Sequence, residues 1–162
     1  NRAPGLNRSF SAEKWSWLGP QLWEKARQEA RGLEINGNYS ILGSDIDPKA
    51  VEIARENARR AGVADIVRFE AADATTFSRK TEDGVLVTNP PYGERLLETR
   101  QAERLYRDFG AAVSAVNSGE GGKWRIYVLS SHPDFERHFG KKAYKKRKLY
   151  NGMIKCQLFM YL

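Results

Sequence analysis

The sequence predicts an α/β fold: a mostly parallel sheet with helices on its faces, ending in an antiparallel hairpin. Strand and helix patterns alternate between residues 39 and 140, which is typical of strands joined by crossover helices. Asn151-Gly152 then forms a hairpin signal, and apolar residues alternate with more polar ones from Ile154 to Leu162. The 162 residues suffice for one domain with a sizeable core.

Hydrophobic periodicity and turn residues set the order of the elements. Asp47 is the expected N-cap of a helix that Pro48 begins and Gly62 ends. The predicted helices cover residues 20–33, 48–62, 98–116 and 133–140. The predicted strands are 39–43, 66–69, 84–88, 124–131 and the two strands of the hairpin.

The composition is that of a soluble globular protein, with 41% apolar and 29% charged residues. No apolar run approaches the roughly 18 residues of a membrane span, and no signal-peptide pattern opens the sequence. Cys156 is the single cysteine, so no internal disulfide can form. A reducing, cytoplasmic location without a membrane partner is the resulting expectation.

The basic residues are concentrated at the end of the chain. The net charge is +7, but residues 1–122 carry a net charge of −1 and residues 123–162 one of +8. Lys145, Lys146, Arg147 and Lys148 belong to a run with six cations in eight residues. Such a cluster predicts a polyanionic partner, with nucleic acid first. An edge strand protected by lysines is the alternative interpretation.

Polar loops follow three of the predicted strands, and the carboxyl ends of parallel strands meet at one edge of a sheet. Asp45 ends the first strand, where a carboxylate can accept hydrogen bonds from both ribose hydroxyls, and Ile46 could pack on an adenine face. Asp73 and the backbone N–H of Ala74 could bind the amino group and a ring nitrogen of adenine. Both aspartates could instead be local caps. Asn89 opens the third loop.

The third loop is the segment Asn-Pro-Pro-Tyr, residues 89–92. Its two prolines fix φ and remove two N–H donors, so the loop is a stiff turn that presents acceptors. The side-chain carbonyl of Asn89 and the backbone carbonyl of Pro90 match the two hydrogens of a planar amino group. Tyr92 offers a face for stacking, worth about 1–3 kcal/mol per base, and Gly93 permits close approach of a ligand. A rigid turn without a ligand is the alternative.

The segments "SDIDPKAVEIARENARRAG", "AADA" and "NPPYGERL" resemble successive motifs of class I S-adenosylmethionine-dependent amino-methyltransferases. Together with "APGLNRSF" and "KKRKLYNGMIKCQ", they resemble the methylase domain of the RlmL/YpsC-type 23S rRNA guanine-N2 methyltransferases. Members of that family are often labelled N6-adenine-specific DNA methylases. The resemblance covers essentially the whole chain.

The resemblance implies a Rossmann-like sheet and a role for each loop. It implies that Asp45 binds the cofactor ribose and that Asp73 with Ala74 lies at the cofactor adenine. It implies Asn89, Pro90 and Tyr92 at the target base as the catalytic group. The remaining candidates are Ile46 and Asn89 for the cofactor, and Pro91, Gly93, Arg95 and the cations of residues 145–148 for the substrate.

The chain departs from the family at the first motif, a strand followed by a glycine-rich loop beneath the cofactor. Gly119 to Gly122 cannot replace this loop, because they follow a helix and precede a strand. In the family, the missing strand and an RNA-binding THUMP domain precede the "APGLNR" segment. Residues 1–162 are therefore expected to be the C-terminal portion of a single methyltransferase domain.

The predicted function is methyl transfer from S-adenosylmethionine to an exocyclic amino group of an RNA base, with guanine N2 of 23S rRNA first. Adenine N6 in DNA, a protein glutamine amide, a non-catalytic nucleic-acid-binding module and a dinucleotide oxidoreductase are the alternatives. No spacing of histidine, cysteine or carboxylate residues predicts a metal site. His132 and His138 are expected to be surface or capping residues, and Cys156 to be a core residue.

Overall fold

A computed structural model describes residues 3–35, 37, 39–78, 81–93, 99–117 and 124–162. The chain divides into two compact units, Asn1–Ala71 and Ala72–Leu162. The helices are α1 (Pro20–Gly32), α2 (Pro48–Ala61), α3 (Thr99–Val116) and α4 (Phe135–Phe139). The strands are β1 (Ile41–Asp45), β2 (Val67–Ala71), β3 (Gly84–Thr88), β4 (Trp124–Ser130), β5 (Lys145–Asn151) and β6 (Ile154–Tyr161). Within the described ranges, no helix combines the length and apolar character needed to cross a membrane.

The first unit contains a parallel pair of strands, β1 and β2, in which Asp45 lies opposite Ala71. The predicted boundaries of α2 are confirmed: the Asp47 side chain accepts a hydrogen bond from the Lys49 backbone N–H at 2.9 Å. Gly62 ends the helix in the left-handed region, with φ 68°. β1 lies two residues later than predicted, because its hydrogen-bonded ladder continues through polar residues after the apolar run.

The second unit contains a four-stranded sheet in the order β3-β4-β6-β5. β3 and β4 are parallel, with Thr88 opposite Val128. β6 is antiparallel to both β4 and β5, as the Asn-Gly hairpin signal predicts. The expected fold class, a mostly parallel α/β arrangement that closes with an antiparallel hairpin, is therefore confirmed.

The core of the second unit lies between α3, α4 and one face of this sheet, which we name the helix face. The apolar cluster consists of Ala102, Tyr106, Phe109, Val113, Ile126, Val128, Phe135, Phe139, Phe159 and Tyr161. Gly110 allows the two helices to approach closely, because a Cβ at this position would overlap the Phe139 carbonyl oxygen. The opposite face is partly uncovered, and Val87 on β3 is 73% exposed.

The register of the sheet determines which loops share an edge. The parallel strands end at Thr88 and Ser130, and Ser130 lies opposite Gln157 of β6. Because β6 runs in the opposite direction, its first residue, Ile154, extends beyond this pair on the same side. The loop after β3, the loop after β4 and the tip of the hairpin are therefore at one edge, the carboxyl edge of this unit.

Candidate active site

The Asn-Pro-Pro-Tyr segment, which we name the corner, is anchored from α3. Tyr106 has no exposed surface, and its hydroxyl donates a hydrogen bond to the backbone carbonyl of Pro91 at 2.5 Å. Burial raises the pKa of Tyr106, while an interaction with the Ser130 side chain lowers it in part. The buried hydroxyl therefore stays protonated, and the carbonyl of Pro91 is directed toward the protein core.

The hydroxyl of Tyr92, the last residue of the corner, anchors it to the hairpin. It accepts a hydrogen bond from Nδ2 of Asn151 at 3.4 Å, and the thiol of Cys156 donates to it at an Sγ–Oη distance of 3.5 Å. Burial raises the pKa of Tyr92, while the Asn151 side chain, which donates to its oxygen, lowers it in part. Tyr92 is therefore a neutral phenol whose ring is held at the oxygen end, between the corner and the hairpin.

Asn89 is the first residue of the corner, and Gly93 follows its last residue. Asn89 is exposed, and its side chain interacts with the Tyr92 hydroxyl, which slightly lowers the pKa of Tyr92 against the larger effect of burial. Gly93 has φ +88°, and a Cβ there would lie 3.0 Å from the Thr99 Cα. Position 93 therefore requires a glycine, because its φ is positive and the backbone at the start of α3 is close. This reason is separate from the predicted access of a ligand.

The loop after β4 forms a second part of the carboxyl edge. His132 is 8% exposed, because its ring packs edge-on against Tyr106 with 5.5 Å between centroids. Its Nδ1 accepts a hydrogen bond from the Asp134 backbone N–H at 3.2 Å. His132 is therefore not at the surface, and its ring accepts a hydrogen bond from the backbone of the residue that precedes α4. His138 Nε2 lies 3.3 Å from Glu103 Oε1.

A pocket of about 210 Å³ opens beside this loop on the helix face of the hairpin. It is lined by Ser130, Ser131, His132, Pro133, Glu136, Lys146, Lys155, Gln157 and Phe159. Glu136 and Lys146 form an ion pair of 2.7 Å within it. The pocket is therefore polar, and one of its two lysines is already neutralised by a carboxylate.

The two predicted cofactor aspartates each form a local turn. Oδ1 of Asp45 accepts a hydrogen bond from the Asp47 backbone N–H at 2.9 Å, and the adjacent Ile46 is 71% exposed. Oδ1 of Asp73 accepts bonds from the backbone N–H and the hydroxyl of Thr75, both at 2.8 Å. These two bonds hold the pKa of Asp73 below its usual range.

Both carboxylates are exposed and oriented by their own backbone, so they can accept further hydrogen bonds from a ribose or an adenine. Asp73 caps the short 3-10 helix Ala74–Thr76, and Ala74 is exposed as well. Asp45 belongs to the first unit, whereas Asp73 and the corner belong to the second. A common edge for all three loops stays a prediction.

The four cations of residues 145–148 lie on β5 and are all exposed. β5 is an edge strand of its sheet. This position agrees with the alternative interpretation, in which the lysines protect an exposed strand edge. Lys145 and Arg147 point to one face and Lys146 and Lys148 to the other, since side chains alternate along a strand. Arg95 and residues 119–122 lie outside the described residues. Among the described residues, no group of three histidine, cysteine or acidic side chains could hold a metal ion.

Sequence reasoning did not find three residues that hold the corner: Tyr106, Asn151 and Cys156. Asn151 was interpreted only as a turn residue and Cys156 only as a core residue, and Cys156 is indeed fully buried. Their contacts with Tyr92 join positions 59 and 64 residues apart. No spacing in the sequence indicates such contacts.

The chain is similar to known methyltransferases over nearly its whole length. The family described as UPF0020 (RMKL-like, methyltransferase domain) matches residues 1–159. The chain is 44% identical over 165 residues to "Putative RNA methyltransferase YpsC" of Bacillus subtilis (strain 168), covering 99% of the chain and 41% of that protein. It is 36% identical over 167 residues to "Ribosomal RNA large subunit methyltransferase K/L" of Marinobacter nauticus, covering 98% of the chain and 22% of that protein.

Solved structures give the same result. A possible methylase from Clostridium difficile 630 has a TM-score of 0.86 and 43% identity, covering 98% of this chain and 41% of that one. SMU.472 complexed with SAH has a TM-score of 0.88 and 40% identity, covering 99% of this chain and 42% of that one. The chain thus spans less than half the length of each of these four relatives.

Proposed function

Since the chain belongs to the family of RMKL-like methyltransferase domains, we propose that it works in methyl transfer from S-adenosylmethionine to an RNA base. The acceptor is an exocyclic amino group, with guanine N2 in 23S rRNA as the first candidate. Residues 1–162 form part of one methyltransferase domain, which acts in the cytoplasm. The relatives named as RNA methyltransferases support RNA as the substrate.

The observation that carries this proposal is the corner, fixed at Pro91 by Tyr106 and at Tyr92 by the hairpin. An exocyclic amino group is a weak nucleophile because its lone pair is delocalised into the ring. Catalysis then depends on positioning the group and on stabilising the charge that develops on it. Because Pro91 and Tyr92 are fixed and the Asn89 side chain interacts with the Tyr92 hydroxyl, the corner can provide acceptors that need no rearrangement during the reaction.

Asn89 and Pro90 are the proposed acceptors for the two amino hydrogens. An N–H that Asn89 donates to the Tyr92 hydroxyl leaves the Asn89 carbonyl oxygen to face the base. This carbonyl bonds more strongly as positive charge grows on the nitrogen, so it stabilises the transition state more than the ground state. Tyr92 stacks on the base, which must leave its helix to reach the corner.

S-adenosylmethionine supplies the activated methyl group when bound. Asp45 is proposed to accept hydrogen bonds from its ribose, with Ile46 against the adenine, and Asp73 and Ala74 to bind the adenine edge. The two aspartates fit these tasks as acceptors, because their carboxylates are exposed and pre-oriented by backbone N–H groups.

The proposal is tested by offering labelled S-adenosylmethionine with either unmodified 23S rRNA transcript or duplex DNA, followed by nucleoside analysis. We expect label in the RNA as N2-methylguanosine, and labelling about 100- to 1,000-fold slower with an Asn89→Ala variant that still binds cofactor. Label in DNA adenine would replace the RNA substrate with the DNA alternative. Transfer by the Asn89→Ala variant at the wild-type rate would show that the corner is only a turn.

A further inference from the structure

The basic hairpin has two chemically different faces, and only one of them touches the corner. Cross-strand partners in a sheet share a face. One face carries Lys145, Arg147, Leu149 and Asn151 of β5, opposite Met160, Leu158, Cys156 and Ile154 of β6; we name it the corner face. Lys146, Lys148 and Tyr150 lie on the helix face, opposite Phe159, Gln157 and Lys155.

On the helix face, the cations already have partners within the protein. Lys146 donates to Oε2 of Glu136 at 2.7 Å, and its Nζ lies 5.9 Å from the centre of the Phe159 ring. Lys148 Nζ lies 5.3 Å from the centre of the Tyr150 ring. Glu136 therefore neutralises the charge of Lys146, and the Tyr150 ring already engages the ammonium group of Lys148.

On the corner face, the cations have no such neutralisation. Neither Lys145 nor Arg147 forms an ion pair with any carboxylate in the part of the chain that the structure describes. Tyr92 contacts this face at both Asn151 and Cys156. At about 3.3 Å per residue, Arg147 lies about 13 Å and Lys145 about 20 Å along the strand from Asn151.

We propose that RNA bound at the corner lays its backbone along the corner face, with Lys145 and Arg147 on phosphates of nucleotides on one side of the target base. Lys146 holds the hairpin against α4 through Glu136, and Lys148 protects the edge. This inference rests on the proposed function for the identity of the polyanion. Arg147 suits the task because its guanidinium can bind a phosphate in a bidentate manner.

Two double variants with the same change in charge test the inference. Lys145→Gln with Arg147→Gln removes both cations of the corner face, and Lys146→Gln with Lys148→Gln removes both from the helix face. The affinity of each protein for an unmodified 23S rRNA transcript is measured as a function of salt. Thermal unfolding of each variant shows that the fold is retained.

We expect the corner-face variant to lower the log–log salt slope by about 1.4, at about 0.7 per single-strand phosphate contact. Its affinity should then fall about 7-fold less than that of the wild type between 50 and 200 mM salt. The helix-face variant should keep the wild-type slope. The inference would be overturned by an equal decrease of the salt slope in both variants or by a larger decrease in the helix-face variant. Wild-type binding that does not depend on salt would overturn it as well.

The methyl-transfer assay of the proposed function and this binding experiment together separate the two proposals. A protein that methylates RNA but loses affinity equally from both faces contradicts the inference alone. A protein that transfers no methyl group to RNA but binds it in a face-dependent manner contradicts the proposed function alone.

Discussion

Polar loops of two kinds follow the strands: the turns at Asp45 and Asp73, which we name the acidic turns, and the corner. The two kinds are held in different ways. Asp45 and Asp73 accept hydrogen bonds from groups only two residues away. The corner is held by side chains 15, 59 and 64 residues away. The acidic turns can therefore form as soon as their own segment is ordered, whereas the corner requires the whole second unit to be folded. The proposed function accordingly assigns the catalytic acceptors to the corner.

The largest effect should come from Asn89→Ala in the corner. We expect the rate of methyl transfer in single turnover to fall by about 100- to 1,000-fold, roughly 3–4 kcal/mol, because a preorganised acceptor is lost. Affinity for S-adenosylmethionine should fall far less than the rate, since the substituted carbonyl acts on the transition state. If the rate and the cofactor affinity fell by the same factor, the corner would act in cofactor binding, as the acidic turns are proposed to do.

The next effect tests the acidic turns by comparing Asp45→Asn with Asp47→Asn. Asp45→Asn should weaken S-adenosylmethionine binding by about 10- to 100-fold, because hydrogen bonds to a charged group are worth about 1.5–3 kcal/mol. Asp47 caps α2 with the same type of bond, so Asp47→Asn should leave cofactor affinity unchanged. Calorimetric titration of both variants gives the answer. Equal cofactor affinities of the two variants would mean that Asp45 only stabilises its turn.

Local signals and tertiary contacts differ in how far the sequence predicts them. Asp47, Pro48 and Gly62 determine both ends of α2 by local chemistry, and β3 was predicted to the residue. Tyr106 and Asn151 lie far from the corner in sequence, so their roles depend on packing that periodicity does not contain.

The alternation of the cations on β5 could have been predicted, because successive side chains of a strand point to opposite faces. The sequence groups Lys145 and Lys146 in one basic run, whereas the strand assigns them to different surfaces. The ion pair between Lys146 and Glu136 could not have been predicted, since it depends on how α4 packs against the hairpin.

A smaller effect concerns stability and compares two buried hydroxyls. Tyr106→Phe leaves the Pro91 carbonyl without its donor, which should lower the free energy of unfolding by about 1–3 kcal/mol. The hydroxyl of Tyr161 is buried without a hydrogen-bond partner among the described residues. Tyr161→Phe should therefore be neutral or stabilising. Denaturant unfolding measures both, and equal costs would mean that the Tyr106 bond does not hold the corner.

The smallest effect is the pH dependence of the turn at Asp73. Because Thr75 depresses the pKa of this carboxyl, its charge contributes stability above the unfolded pKa of about 3.9, and the contribution is lost as pH falls through the folded pKa. Asp73→Asn still provides a cap, since asparagine is an equally good N-cap, but it does not titrate. The two proteins should therefore have similar urea midpoints at pH 7, and the difference should shift in favour of the variant below about pH 4. A difference that stays constant from pH 3 to pH 7 would show that the carboxylate holds its turn without using its charge.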